Sequence, residues 1–380
     1  MLPQLRAYLL QNWSELPMGG PRPHELAFFV QATGVSKVCC YIFADDSPNP
    51  GWVAKMPRSP LDNQILEREY GVIRHLRQHG SDFVRKTVPG PLFTTYIDQH
   101  FIGLEPYLEG RTMDGMLIGI APGALREYLD LGIDWLLHSQ RETVVHRGPL
   151  TDRQFQHLLL DPIKRLHEEA QLTIIERGYL DMLRVRVLSM ADRPLPLVFN
   201  HGDYRPGNIM VHGDSIKVID WEFGAPAALP LLDVFSYLAR TYARYNGLEE
   251  IDGYLEDYIA AFETVFFDQG TFGELTAEYV DRACLHLEID PSWVDTLFAL
   301  FLVTEANKFR AFLGERANRG YVYLLKSREK RIANSYLDQL DRQKNVWLLG
   351  HLAQHPERLV FHHSIDSPRD MQPQPAASLT

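Results

Sequence analysis

One stretch constrains this 380-residue chain more than any other: Pro196 to Phe223, PLVFNHGDYRPGNIMVHGDSIKVIDWEF. It reads as a short apolar strand, a polar loop and two short strands joined by the turn His212-Gly213-Asp214, and it ends on Asp220 after the apolar run Ile216 to Ile219. A hairpin closed by that turn brings Asp220 back beside the loop that carries Asp203 and Asn208, so that two carboxylates and one amide share a small volume. Such a set suits phosphoryl transfer, where a protein mainly positions groups and neutralises charge. Mg²⁺ takes hard oxygen ligands, one or two from protein and the remainder from phosphates and water. Asn208 and Asp220 fit as those ligands, which leaves Asp203 to accept a hydrogen bond from an attacking hydroxyl.

The rest of the chain divides into two textures. Residues 27 to 104 alternate short β-branched and aromatic runs with turn clusters, and predict strands at Ala27 to Gln31, Lys37 to Ala44, Trp52 to Met56, Leu92 to Ile97 and Phe101 to Leu104. Apolar residues recur at helical spacing from Asp62 to His79. Beyond residue 110 amphipathic runs predict helices at about 122 to 140, 152 to 170, 174 to 191, 228 to 245, 253 to 268, 275 to 287, 292 to 313 and 329 to 353. The Pro- and Gln-rich end reads as a disordered tail.

At HGDYRPGN, His201 to Asn208, and IDWE, Ile219 to Glu222, the sequence resembles the aminoglycoside phosphotransferase and choline kinase family of small-molecule kinases. The resemblance implies an α+β, bilobal, protein-kinase-like fold with a small β-rich N-lobe and a large, mainly helical C-lobe. It places the N-lobe in 1–104, a hinge in 105–110, the C-lobe in 111–365 and the tail in 366–380. It implies that Asp203 is the catalytic base, that Asn208 and Asp220 bind Mg²⁺, and that ATP or GTP is the phosphoryl donor. Lys55, at the end of GWVAK, matches the lysine that holds the nucleotide phosphates, and Glu69 in the following helix matches its partner, with Glu67 on another side of that helix. The hinge FIGLEPYLEG places adenine on the Glu105 carbonyl and the Tyr107 amide, since Pro106 has no N–H. The phosphate loop falls at QATGVSK, where Gly34 and Ser36 would present backbone amides and a hydroxyl. Asp233 is expected to support the catalytic loop through backbone amides, and His201 to shape it.

Charge narrows the partners. The 38 Lys and Arg against 49 Asp and Glu give a formal net charge of −11, which lacks the basic footprint of a nucleic-acid binder. The apolar stretches are far short of the ~20 residues that span a bilayer, no secretory signal is evident, and a cytoplasmic location is expected. Cys39, Cys40 and Cys284 support neither a disulfide framework nor a thiolate zinc site. Acidic residues concentrate between 246 and 290; solvated helix faces explain them, and an acidic rim for a cationic acceptor is the alternative. The resemblance implies that the acceptor is a small molecule with a hydroxyl, aminoglycoside- or amino-sugar-like first, then a choline-like amino alcohol or a sugar. A non-catalytic nucleotide-binding module is the rival from another class.

Overall fold

This computed structural model describes residues 1–33, 37–213, 215–248, 255–318 and 344–361. Gly34, Ser36, the stretch 329–343 and the 366–380 tail lie outside the described residues.

The first structural layer is a five-stranded antiparallel sheet: β1 (Leu26–Thr33), β2 (Lys37–Ala44), β3 (Trp52–Pro57), β4 (Phe93–Ile97) and β5 (His100–Pro106), in the order β1-β2-β3-β5-β4. Alternation along the strands gives the sheet two different faces. Cys40, Ile42, Ala54, Met56, Ile102 and Leu104 are buried against Leu5, Leu9 and Trp13, which come from and just follow helix α1 (Leu2–Asn12). The register pairs Cys39 with Lys55 and Lys37 with Pro57, so Lys37, Cys39 and Lys55 point to the opposite face. That face receives helix α2 (Asn63–His79), whose Leu66, Glu69, Tyr70, Ile73 and Leu76 form one buried stripe. Asn63 fastens its start, donating to the Gln99 carbonyl at 2.7 Å and accepting from the Phe101 amide at 2.8 Å. Glu69 is carried inward by this stripe, whereas Glu67 lies outside it and accepts from the exposed Tyr96 hydroxyl.

A short helix not foreseen from sequence, α3 (Asp82–Thr87), follows, capped by the Ser81 hydroxyl on the Val84 amide. Past β5 the chain becomes mainly helical. It contains β6 (Arg111–Thr112), α4 (Met113–Leu117), α5 (Leu125–Glu142), α6 (Asp152–Phe155), α7 (Asp161–Glu169), α8 (Ile174–Leu188), α9 (Leu232–Tyr245), α10 (Leu255–Phe266), α11 (Thr271–Leu287), α12 (Val294–Asn318) and a last described helix, Lys344–Gln354. Between α8 and α9 lie β7 (Val198–Asn200), β8 (Ile209–His212), β9 (Ser215–Val218) and β10 (Ala225–Ala228). The β8–β9 hairpin has the expected register, Ile209 opposite Val218 and His212 opposite Ser215. A large apolar core, from Leu66 through Phe361, joins α2 to the helical part, so the two layers meet over one continuous packed surface. Among the described residues no helix is long and apolar enough to cross a membrane.

Candidate active site

The loop between β7 and β8 is over-determined by short-range contacts. Asp233, buried in the first turn of α9, accepts from the backbone amides of His201 at 2.7 Å and Gly202 at 2.9 Å, as the sequence led us to expect. The Asp203 amide donates to His201 Nδ1 at 3.3 Å, which leaves Nε2 to donate to the Ile219 carbonyl at 2.9 Å. His201 therefore ties the loop to the strand end before Asp220. Asn208 donates from Nδ2 to the Asp203 carbonyl (2.9 Å) and to Asp203 Oδ2 (3.0 Å), which turns Oδ1 away from Asp203. Beneath the loop lies an aromatic floor: Trp135 stacks on Tyr204 at 5.5 Å, and Trp221 packs against His201 at 4.4 Å. Tyr204 reaches the Gly132 carbonyl at 2.8 Å, and Trp221 Nε1 the Val218 carbonyl at 2.8 Å.

Gly202 and Asp220 both have positive φ. Gly202 has φ +78°, and a Cβ there would lie 2.5 Å from the Phe223 carbonyl oxygen, so the glycine of His-Gly-Asp is a steric requirement. Asp220 has φ +70°, uncommon for a residue with a side chain and costly unless its surroundings impose it.

The lysine and glutamate expected to pair do so. Lys55 Nζ lies 2.5 Å from Glu69 Oε1, both side chains nearly inaccessible to water. Two residues not singled out from sequence join them. Lys37, the first residue of β2, places its ammonium 3.3 Å from Glu69 Oε2, 3.1 Å from Glu222 Oε2 and in contact with Asp220 Oδ1. Glu222, read only as part of the IDWE motif, thereby becomes a member of the cluster. The sequence did carry a signal for Lys37: it is in phase with Lys55 across the β2–β3 register and is the last residue of the expected phosphate loop. Burial raises the pKa of Asp220, but Lys37 and then Lys55 outweigh it and hold the carboxyl below its ordinary value. Burial pushes Glu222 up, against the pull of Lys37. Oxygens of Glu69, Asp220 and Glu222 lie within 4.8 Å of one another, a hard-donor set that fits a divalent cation such as Mg²⁺.

The hinge differs from the expectation. The Tyr107 amide donates to the Gly51 carbonyl at 2.9 Å, extending the β3–β5 ladder, so it is not directed at a ligand. In that ladder Glu105 is opposite Val53, in phase with Tyr107, and its carbonyl also points toward β3. The groups of opposite phase are the Pro106 carbonyl and the Leu108 amide. The Glu105 side chain instead turns inward, buried, 3.3 Å from Lys55 Nζ. Its burial pushes the carboxyl up, while Lys55 pulls it down. A shift of one residue exchanges every inward and outward group of a strand, so a motif alone does not tell which backbone groups of the hinge face the sheet.

Around Asp203 the charges are positive. Arg205 Nε lies 3.3 Å from Asp203 Oδ2, and Lys308 of α12 donates to the Gly202 carbonyl at 2.5 Å while sitting 4.3 Å over the Phe223 ring. Burial raises the Asp203 carboxyl, but Lys308, Arg205 and Arg240 of α9 outweigh it, and its pKa falls below the ordinary aspartate value. Three members of the acidic block are engaged away from Asp203. Glu278 makes a two-pronged pair with Arg126 at 2.7 and 2.8 Å, and Glu288 pairs with Arg147 at 2.7 Å. Asp290 caps the turn at Pro291–Trp293. Glu249, Glu250 and Asp252 of the block lie outside the described residues.

The model of the phosphotransferase enzyme family, APH, matches residues 41–270, more than half of the chain. The chain belongs to this family. No curated protein sequence matches it. Among solved structures, it is similar to a thermostable mutant of aminoglycoside phosphotransferase APH(4)-Ia in ternary complex with ADP and hygromycin B: 12% identity, 89% of this chain and 98% of that chain, TM-score 0.48. It is also similar to the amicoumacin kinase hAmiN in complex with AMP-PNP and Ca²⁺: 12% identity, 90% and 96% of the chains, TM-score 0.45. A choline/ethanolamine kinase family protein from Mesorhizobium loti is a third: 15% identity, 92% and 99%, TM-score 0.39.

Proposed function

We propose that this phosphotransferase moves the γ-phosphoryl group of ATP, or GTP, to a hydroxyl of a small molecule. The observation that carries the reading is the convergence of Asp203, Asn208 and Asp220 beside the Lys55–Glu69 pair, contributed by two separate layers of the fold. A bound divalent cation, held by Asp220 with Asn208 Oδ1 on the catalytic-loop side or with the Glu222 and Glu69 carboxylates on the other, would neutralise charge on the transferring phosphoryl group. The chain's own groups do the rest. Lys55, oriented by Glu69, holds the nucleotide phosphates, and the Pro106 carbonyl and Leu108 amide meet the adenine edge in place of Glu105 and Tyr107. Asp203, kept ionised by the surrounding cations, accepts the hydrogen bond of the acceptor hydroxyl, aligns its oxygen with the γ-phosphorus and takes its proton as the bond forms.

For the acceptor, an aminoglycoside-like molecule stands first and a choline-like amino alcohol or a sugar next, while Arg205 and Lys308 near Asp203, themselves paired with Asp203 and Glu305, make a molecule with a carboxylate or phosphate near its hydroxyl a further class to compare. Two measurements test the proposal. Mg·ATP should raise the melting temperature and Mg²⁺ with a non-nucleotide anion should not; no shift with ATP or GTP sinks the kinase reading. ATP consumption should then be compared across an aminoglycoside, choline, a neutral sugar and hydroxycarboxylates such as glycerate. Turnover confined to the hydroxycarboxylates would overturn the acceptor order and leave the kinase reading intact.

A further inference from the structure

An ammonium has three donors, and that of Lys37 meets a carboxylate with each: Glu69 at 3.3 Å, Glu222 at 3.1 Å, and Asp220 in direct contact. These are the three carboxylates whose oxygens could converge on a metal ion. Lys37 is itself 7% exposed and Glu69 fully buried, while the Asp220 and Glu222 side chains are 27% and 19% exposed, so the inner side of the cluster is shielded from bulk water, where charge pairs are strong and an unpaired charge is costly, and its outer side is open to an arriving ion. The two lysines, 37 and 55, face four carboxylates, because Glu105 also approaches Lys55. With all four ionised, the enclosure is short of positive charge by the amount a divalent cation carries, and burial alone already opposes that charge at Glu105 and Glu222. Lys37 also stands at the base of the loop expected to cover the phosphates, on a flexible four-carbon stem.

We propose that Lys37 is a tethered stand-in for the metal: its ammonium compensates the Asp220–Glu222–Glu69 carboxylates until metal and nucleotide arrive, then swings to the phosphates as a second lysine beside Lys55. The proposal rests on the kinase reading. It makes metal binding depend on nucleotide, since a cation entering alone must displace the ammonium and leave it without a partner, whereas the phosphates of a nucleotide give it a new one.

The test is titration with Mn²⁺ alone, read by electron paramagnetic resonance, on the full chain. The wild-type protein should bind Mn²⁺ weakly without nucleotide, and Lys37→Met should bind one Mn²⁺ about tenfold or more tightly, since a like charge has left the site. Lys37→Gln gives the same reading should the methionine variant fail to fold. Lys37→Arg, which keeps the charge, should behave as wild type. Mn²⁺ affinity unchanged in the neutral variants, or raised equally in Lys37→Arg, overturns the proposal. Adding AMP-PNP separates the two readings: a wild-type protein that binds no Mn·AMP-PNP contradicts the kinase reading itself, whereas normal Mn·AMP-PNP binding with unchanged Lys37→Met affinity contradicts only the role of Lys37.

Discussion

Gly202→Ala isolates how much of the site depends on the path of the catalytic loop. Gly202 has φ +78°, and an alanine there carries the left-handed penalty of about 1–2 kcal/mol. Its Cβ would also fall 2.5 Å from the Phe223 carbonyl oxygen and 2.8 Å from the Phe223 Cβ, so backbone rather than a flexible side-chain tip must yield. Overpacking of that kind costs about 1–3 kcal/mol. The total, about 2–5 kcal/mol, corresponds to a fall in melting temperature on the order of 3–6 °C for a chain of 380 residues. The shift separates the Asp203 loop from the segment that carries Asp220, and a misplacement of about 1 Å costs on the order of 100-fold in phosphoryl transfer. Gly207→Ala is the control in the same loop. Its Cβ would meet nothing closer than Arg205 Nε and the Asp114 Cβ, both at 4.0 Å, so stability should stay within about 0.5 kcal/mol of wild type or rise slightly. Urea melts and ATP turnover of the two variants decide the matter. Equal stability and turnover for both would refute the argument from left-handed geometry and close approach.

Asp203→Ala should abolish phosphoryl transfer while leaving Mg·ATP binding nearly intact, whereas Asp220→Ala should weaken metal-dependent nucleotide binding; calorimetry with AMP-PNP distinguishes them, and normal turnover in either removes the assignment. Asp203 has a depressed pKa in the folded protein, so its charge stabilises the fold above the ordinary aspartate value and that contribution is lost as pH falls through the depressed one. The stability gap between wild type and Asp203→Asn should therefore be present at pH 7 and shrink below about pH 4, and a gap that stays constant in acid urea melts would contradict the sign. Replacing Glu278 and Glu288 together by Gln should change stability by no more than about 1 kcal/mol, because both pairs are half exposed, and should leave the KM of the acceptor unchanged. A large rise in that KM would return the acidic block to the acceptor site.

The strands and helices were largely legible in the sequence because they answer to local rules. The alternation of β2, the helical stripe of α2 and the turn at His212-Gly213 act over a few residues, and their limits agree with the structure to within a few positions. The same holds for Asp203, Asn208 and Asp220, which one hairpin joins. What escaped was phase and long-range convergence. The Glu105 carbonyl and the Tyr107 amide, expected to meet adenine, face β3 instead, because a motif names residues and not the direction of their amides, which only pairing with β3 decides. The helices at Leu2–Asn12 and Asp82–Thr87 draw their stability from the sheet face and the α2 end on which they pack.

The sequence by itself determined the family, the residues that make up the loop and the Lys55–Glu69 pair, since each rests on residue types at short or motif-specified spacing. Only the tertiary structure decided the electrostatics. Lys37 reaches Asp220, Lys308 reaches Gly202 and Glu278 reaches Arg126 across more than a hundred residues of chain, and whether a charge meets a ligand, a partner or water depends on packing that no local pattern encodes.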